Sequence, residues 1–99
     1  MNPQPHGMVG PEDLLHMYMA WKNQQPVLVS VVGTDQFYLP VFDRLEPLAT
    51  FLGHSRKTWD GFTQVDEPGE FLGSLPEGIL VMVNPSFTDE GRVQWHGVL

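Results

Sequence analysis

Apolar residues recur at Leu14, Met17, Tyr18 and Trp21, the i, i+3, i+4, i+7 spacing of one helical face. Pro11 suits a first helical position because its missing N–H would be unpaired there, and Glu12 and Asp13 suit the positive end of the helix. The pattern predicts a helix over residues 11–23, closed by Lys22 and Asn23 ahead of Pro26. Leu15 and Met19 widen its apolar arc to roughly 200°, well beyond the ~100° stripe a surface helix needs. A single small sheet covers only one side of such a helix. Leu15, Met19, Tyr18 and Trp21 are therefore candidates for an interface with another chain as well as for the core.

Residues 27–32 are a β-branched run between Pro26 and Gly33, which predicts a buried strand. A turn at Gly33-Thr34-Asp35 leads to a second strand over residues 37–42, and the two predict a hairpin. Pro40 has no N–H to give a ladder, so this strand has an open edge or ends there. Asp43 and Glu46 form a capping-box pattern ahead of Leu45, Leu48, Phe51 and Leu52, a helix expected to stop at Gly53. Residues 58–65 predict a strand with a bend at Asp60-Gly61. Asp66 then caps a short helix through Pro68, Phe71, Leu72 and Leu75. Residues 79–83 are the strongest apolar run and predict a central strand ended by Asn84-Pro85, with a last strand over residues 92–99 returning as a hairpin.

The element order is α-β-β-α-β-α-β-β. It predicts an α+β fold: a small mixed or antiparallel sheet of about five strands, with two to three helices packed mainly on one face. Residues 1–10, with two Pro and two Gly and no periodicity, read as a flexible tail, and residues 11–99 as one domain.

Composition narrows the function classes. The 99 residues are 41% hydrophobic, enough for one modest core. There is no cysteine, which excludes disulfides, thiolate nucleophiles and cysteine-based metal sites. Twelve acids against five bases give a net charge of −7. A nucleic acid would meet repulsion, so no nucleic-acid partner is expected. No stretch approaches the ~20 apolar residues needed to span a bilayer, and residues 1–10 lack a basic region followed by an apolar run. No membrane association is expected, and the cytoplasm is the default setting.

Candidate chemistry is sparse. His6, His16, His54 and His96 form no HExxH, HxH or i, i+4 helical pair, so no metal site and no cofactor is predicted. None of Ser30, Ser55, Ser74 and Ser86 lies in a GxSxG turn. An enzyme would have to assemble His54, Asp60 and His96 in space. The segment Gly53-His54-Ser55-Arg56-Lys57-Thr58 holds two of the five bases and could take a phosphate or carboxylate. It departs from the P-loop, which needs a glycine before the lysine, and reads more simply as cations after a helix C-terminus. Asp60, Asp66, Glu67 and Glu70 read as a solvated acidic face. Trp59, Phe62 and Trp95 are candidates for an aromatic-lined ligand pocket between sheet and helices, although each tryptophan reads more simply as core.

The segments FYLPVFDRLEPLATFLG (residues 37–53) and LPEGILVMVNPSF (residues 75–87) resemble the SseB-like family, named for enhanced serine sensitivity. The resemblance rests on Leu39, Pro40, Val41 and Phe42 at a strand end, Leu48 and Phe51 in the following helix, and Asn84-Pro85 closing an apolar strand. It implies an N-terminal-type α+β module of that family with no catalytic residue to carry over. The expected function is a non-enzymatic protein-interaction or regulatory module, self-associating or bound to another protein. The alternative is a small-molecule-binding protein.

Overall fold

The computed structural model describes residues 10–31, 33, 35–95 and 97–98. Apart from Gly10, the expected tail lies outside the described residues, as do Thr34 of the expected turn and His96. The fold is α+β. A single 3-10 turn, Pro11–Leu14, is followed by β1 (Tyr18–Lys22), β2 (Gln25–Pro26), β3 (Val29–Ser30) and β4 (Phe37–Val41). Then come α1 (Leu45–His54), β5 (Gly61–Gln64), α2 (Pro68–Ser74), β6 (Ile79–Val83), β7 (Ser86–Phe87), β8 (Val93–Gln94) and β9 (Gly97–Val98).

The expected first helix is corrected to one 3-10 turn and a strand. Pro11 opens the turn, and the Gly10 N–H donates to Asp13 Oδ2 at 2.9 Å. His16 then takes a left-handed backbone (φ 68°) and its N–H donates to the Val65 carbonyl at 2.7 Å, which draws the chain into a sheet. In β1 the side chains alternate. Met19 packs in one core cluster and Trp21 packs against it, while Ala20 belongs to a second cluster that Tyr18 packs against. A strand buried on both faces is apolar at nearly every position, and such a run also satisfies the helical template.

Asn23 and Gln24, both left-handed (φ 53° and 65°), join β1 to β2 as a two-residue hairpin with Lys22 opposite Gln25. Asn tolerates this conformation, whereas Gln has no such ease. Gln24→Gly should therefore raise stability by roughly 0.5–1 kcal/mol, seen as a higher urea midpoint. A lower midpoint would contradict the turn geometry.

Among the described residues three sheets replace the expected one. The orders are β2-β1-β5, β3-β4-β6-β9 and the hairpin β7-β8. β4 and β6 run parallel from Phe37↔Ile79 to Val41↔Val83, so α1, β5 and α2 form the crossover between them. The first two sheets meet where Tyr18 and Phe42 exchange backbone hydrogen bonds of 2.7 and 2.9 Å. The expected pairing of residues 27–32 with 37–42 is present in short form, Val29↔Tyr38 and Ser30↔Phe37. Pro40 lies beyond that overlap, where no donor is required of it. The closing strand also pairs antiparallel with β6, at Met82↔Val98 and Val83↔Gly97, but the β7–β8 hairpin is inserted between them.

The layer β4–β6 is covered on both sides. Leu39, Val41, Val81 and Val83 form the first cluster with Leu14, Met17 and Met19, and Phe71, Leu72 and Leu75 of the α2 region pack against it. Phe42 belongs to the second cluster with Leu48, Phe51 and Leu52 of α1. The helices thus occupy opposite faces, not mainly one. This follows from the period-two alternation of β4, whose Leu39 and Val41 face away from Tyr38 and Phe42.

Two expected caps are also corrected. Asp43 does not cap α1; the N-cap is Arg44, with no side-chain bond. The Asp43 N–H donates instead to Asn84 Oδ1 at 3.1 Å, which ties the end of β4 to the end of β6. Likewise the N-cap of α2 is Glu67, not Asp66.

Candidate functional site

α1 runs past Gly53 and ends in a tight reversal. Arg56 takes the left-handed position (φ 57°), its N–H donates to the Gly53 carbonyl at 3.1 Å, and the Lys57 N–H reaches the Leu52 carbonyl at 2.9 Å. This paired-bond ending satisfies two orphan carbonyls of the last turn, and it carries Ser55 and Lys57 to one side of the helix end. Arg56 and Lys57 thus follow directly on the C-terminus of α1.

The β7–β8 hairpin faces that end. Its loop is closed by the Gly91 N–H donating to the Thr88 carbonyl at 2.9 Å and by the Thr88 N–H donating to the Arg92 carbonyl at 2.8 Å. Gly91 has φ 82°, which only glycine adopts without strain, so this residue fixes where Arg92 leaves the turn. Phe87 stacks on Phe51 with ring centroids 5.1 Å apart and planes 20° apart, and Phe51 in turn meets Phe42 at 5.7 Å. This chain of rings fastens the hairpin to α1 and, through Phe42, to the core.

Between β3, the end of α1 and this hairpin lies a concavity of about 680 Å³. Val29 and Val31 line the β3 side, and Phe51, Phe87 and Val93 give the rest of an apolar lining. Ser30, Ser55, Lys57 and Arg92 supply its polar groups. The volume falls within the range of about 300–1,000 Å³ typical of small-molecule sites. A smaller groove of about 270 Å³ lies along Trp21, Asp66, Glu67 and Glu70 and is acidic. Another, of about 210 Å³, lies beside Pro47, His54 and Pro85.

The aromatic candidates have different neighbours. Trp59 is half-buried and packs against the second core cluster. Phe62 is 49% exposed on β5 and meets Tyr18 edge-on at 5.7 Å. Trp95 meets Tyr38 at 6.1 Å. None of the three is among the described residues lining the 680 Å³ concavity. Of the candidate interface residues, Met19 is 2% exposed and is core, whereas Leu15 is 45% exposed. Trp21 is half-buried, its Nε1–H donating to Thr63 Oγ1 at 2.6 Å, and Lys22 donates to Thr58 Oγ1.

The candidate catalytic groups have other local roles. Asp60 Oδ2 accepts the Asn23 N–H at 2.9 Å and so braces the β1–β2 turn. His54 ends α1 with its ring 5.7 Å from Phe87. Among the described residues no group of three or more His, Asp or Glu is placed to hold a metal ion. No helix among them is long and apolar enough to cross a membrane. Among the lining residues that sequence reasoning did not assign to a site are Phe87, Arg92 and Val93, brought there by a hairpin whose strands are two residues each. Comparison with protein-family models, with curated proteins and with solved structures gave no match.

Proposed function

We propose that this chain is a non-enzymatic binding module whose site is the concavity between β3, the end of α1 and the β7–β8 hairpin. The observation that carries the reading is that concavity itself: about 680 Å³, apolar over most of its lining, with a few polar groups. The small-molecule reading is kept, with its pocket moved from Trp59, Phe62 and Trp95 to Val29, Phe51, Phe87 and Val93. The resemblance of residues 37–53 and 75–87 to SseB-like proteins supports a non-catalytic role of this kind. A cytoplasmic setting, suited to a cysteine-free chain, belongs to the same proposal.

The test is a titration of the 15N-labelled chain with naphthalene-1-acetamide and naphthalene-1-acetate, ring-bearing probes of a size the concavity holds. The reading expects saturable shifts at the amides of Ser30, Ser55 and Val93 together. Scattered, non-saturating shifts with both probes would overturn it.

A second reading, interaction with another protein or a second copy, is favoured by β5. Among the described residues this strand pairs with β1 alone, its residues are mostly exposed, and Phe62 beside Tyr18 gives it an apolar patch. Light scattering across a concentration series should then show an oligomer that Phe62→Glu dissociates. A monomer at every concentration would remove self-association.

A further inference from the structure

We infer that the ligand of this concavity is an amphipathic organic acid, with a ring-sized apolar body and a carboxylate head. The inference rests on the binding reading proposed above. Its own basis is the distribution of charge. The chain has twelve acids and five bases, yet the described residues lining the concavity include two of the bases and no acid. Among the described residues the only ion pair is Arg44 with Asp43, so neither the Lys57 ammonium nor the Arg92 guanidinium is paired with a carboxylate of those residues. The other cations are otherwise placed: Lys22 donates to Thr58, and Arg56 is outside the lining.

Two cations that line one concavity from segments 35 positions apart, without a carboxylate partner among the described residues, select for an anion in an acidic protein. The chemistry of the lining narrows the class further. A guanidinium presents paired N–H donors that match the two oxygens of a carboxylate, and the Ser30 and Ser55 hydroxyls can donate to the same head. Phe87 offers ring surface, and Val31 and Val93 aliphatic surface, to the body of the ligand, all three being only partly buried, with Phe51 and Val29 packed behind them. An inorganic anion would leave that apolar surface uncovered. A neutral apolar compound would leave both cations unmatched.

Naphthalene-1-acetate and naphthalene-1-acetamide have nearly the same shape and differ in charge, so their affinities for the full chain isolate the head group. The acetate should bind roughly tenfold or more tightly than the amide, the usual worth of a charge-assisted hydrogen bond. Its affinity should fall as salt is raised while that of the amide holds. Arg92→Gln and Lys57→Gln should each weaken the acetate several-fold and leave the amide little changed. Arg56→Gln, the same loss of charge outside the lining, should alter neither. Equal affinities for the two probes would overturn the inference and leave the binding reading standing. Equal weakening by Arg56→Gln and Arg92→Gln would overturn it too, because net charge would then be the cause. Absence of binding by both probes would overturn inference and reading together.

Discussion

Phe42→Ala should lower the stability of the fold by about 3–5 kcal/mol, the usual cost of truncating a fully buried phenylalanine. Phe42 is 0% exposed, and its ring meets Phe51 at 5.7 Å. Its backbone exchanges two hydrogen bonds with Tyr18, so the variant keeps its place in the chain and opens a void instead of moving. A domain of this size has roughly 5–15 kcal/mol of stability, so the loss is a large fraction of the whole. Urea unfolding should show a much lower midpoint with an unchanged slope. The same truncation removes the support behind Phe51, which floors the concavity, so affinity for either naphthalene probe should fall as well. A stability loss under about 1 kcal/mol would contradict the packing of the second core cluster.

Met19→Glu should cost about 4 kcal/mol or more and leave little folded protein, because it puts a carboxylate among buried apolar side chains. Met19 is 2% exposed between Leu39, Val41, Val65 and Val81 of the first cluster. Leu15→Glu, at a residue 45% exposed, should change stability by no more than about 0.5 kcal/mol. The contrast discriminates between architectures. On one helix, residues 15 and 19 stand a turn apart on the same face and should respond alike. In the turn-and-strand arrangement one points to solvent and the other into the core. Circular dichroism and amide dispersion of the two variants read the difference, and a folded Met19→Glu chain would contradict β1 as a strand buried on both faces.

What the sequence discloses follows from how local each determinant is. α1 was legible in Leu48, Phe51 and Leu52, α2 in Phe71 and Leu72, and β6 in an unbroken apolar run, since each pattern is complete within its own segment. The 11–23 segment misled because Leu14, Met17, Tyr18 and Trp21 satisfy a helical template, although the roughly 200° apolar arc was already too wide for a helix with one buried side. The left-handed residues His16, Asn23 and Gln24 decide the matter, and only the first two are types that take this conformation readily. Among the described residues, five strands of two residues each (β2, β3, β7, β8 and β9) are defined by their partners and not by a pattern, so the strand count could not be read in advance.

The site divides in the same way. Ser55 and Lys57 were visible as residues following a helix C-terminus, because that placement is local. Phe87, Arg92 and Val93 reach the concavity through a hairpin that packs by Phe87 on Phe51, a contact across 36 positions with no local signature. Trp59, Phe62 and Trp95 drew attention by residue type alone, and residue type does not fix which side of a strand a ring occupies.

The most direct test of the central claim, that this concavity binds a ligand, is an isotope-filtered NOE experiment on the 13C,15N-labelled chain with naphthalene-1-acetate. Val29 and Val93 belong to different elements and line the same cavity. The account predicts cross-peaks from the naphthalene ring protons to the methyl groups of both. Cross-peaks confined to Leu15 or Phe62, or none from a saturated sample, would contradict it.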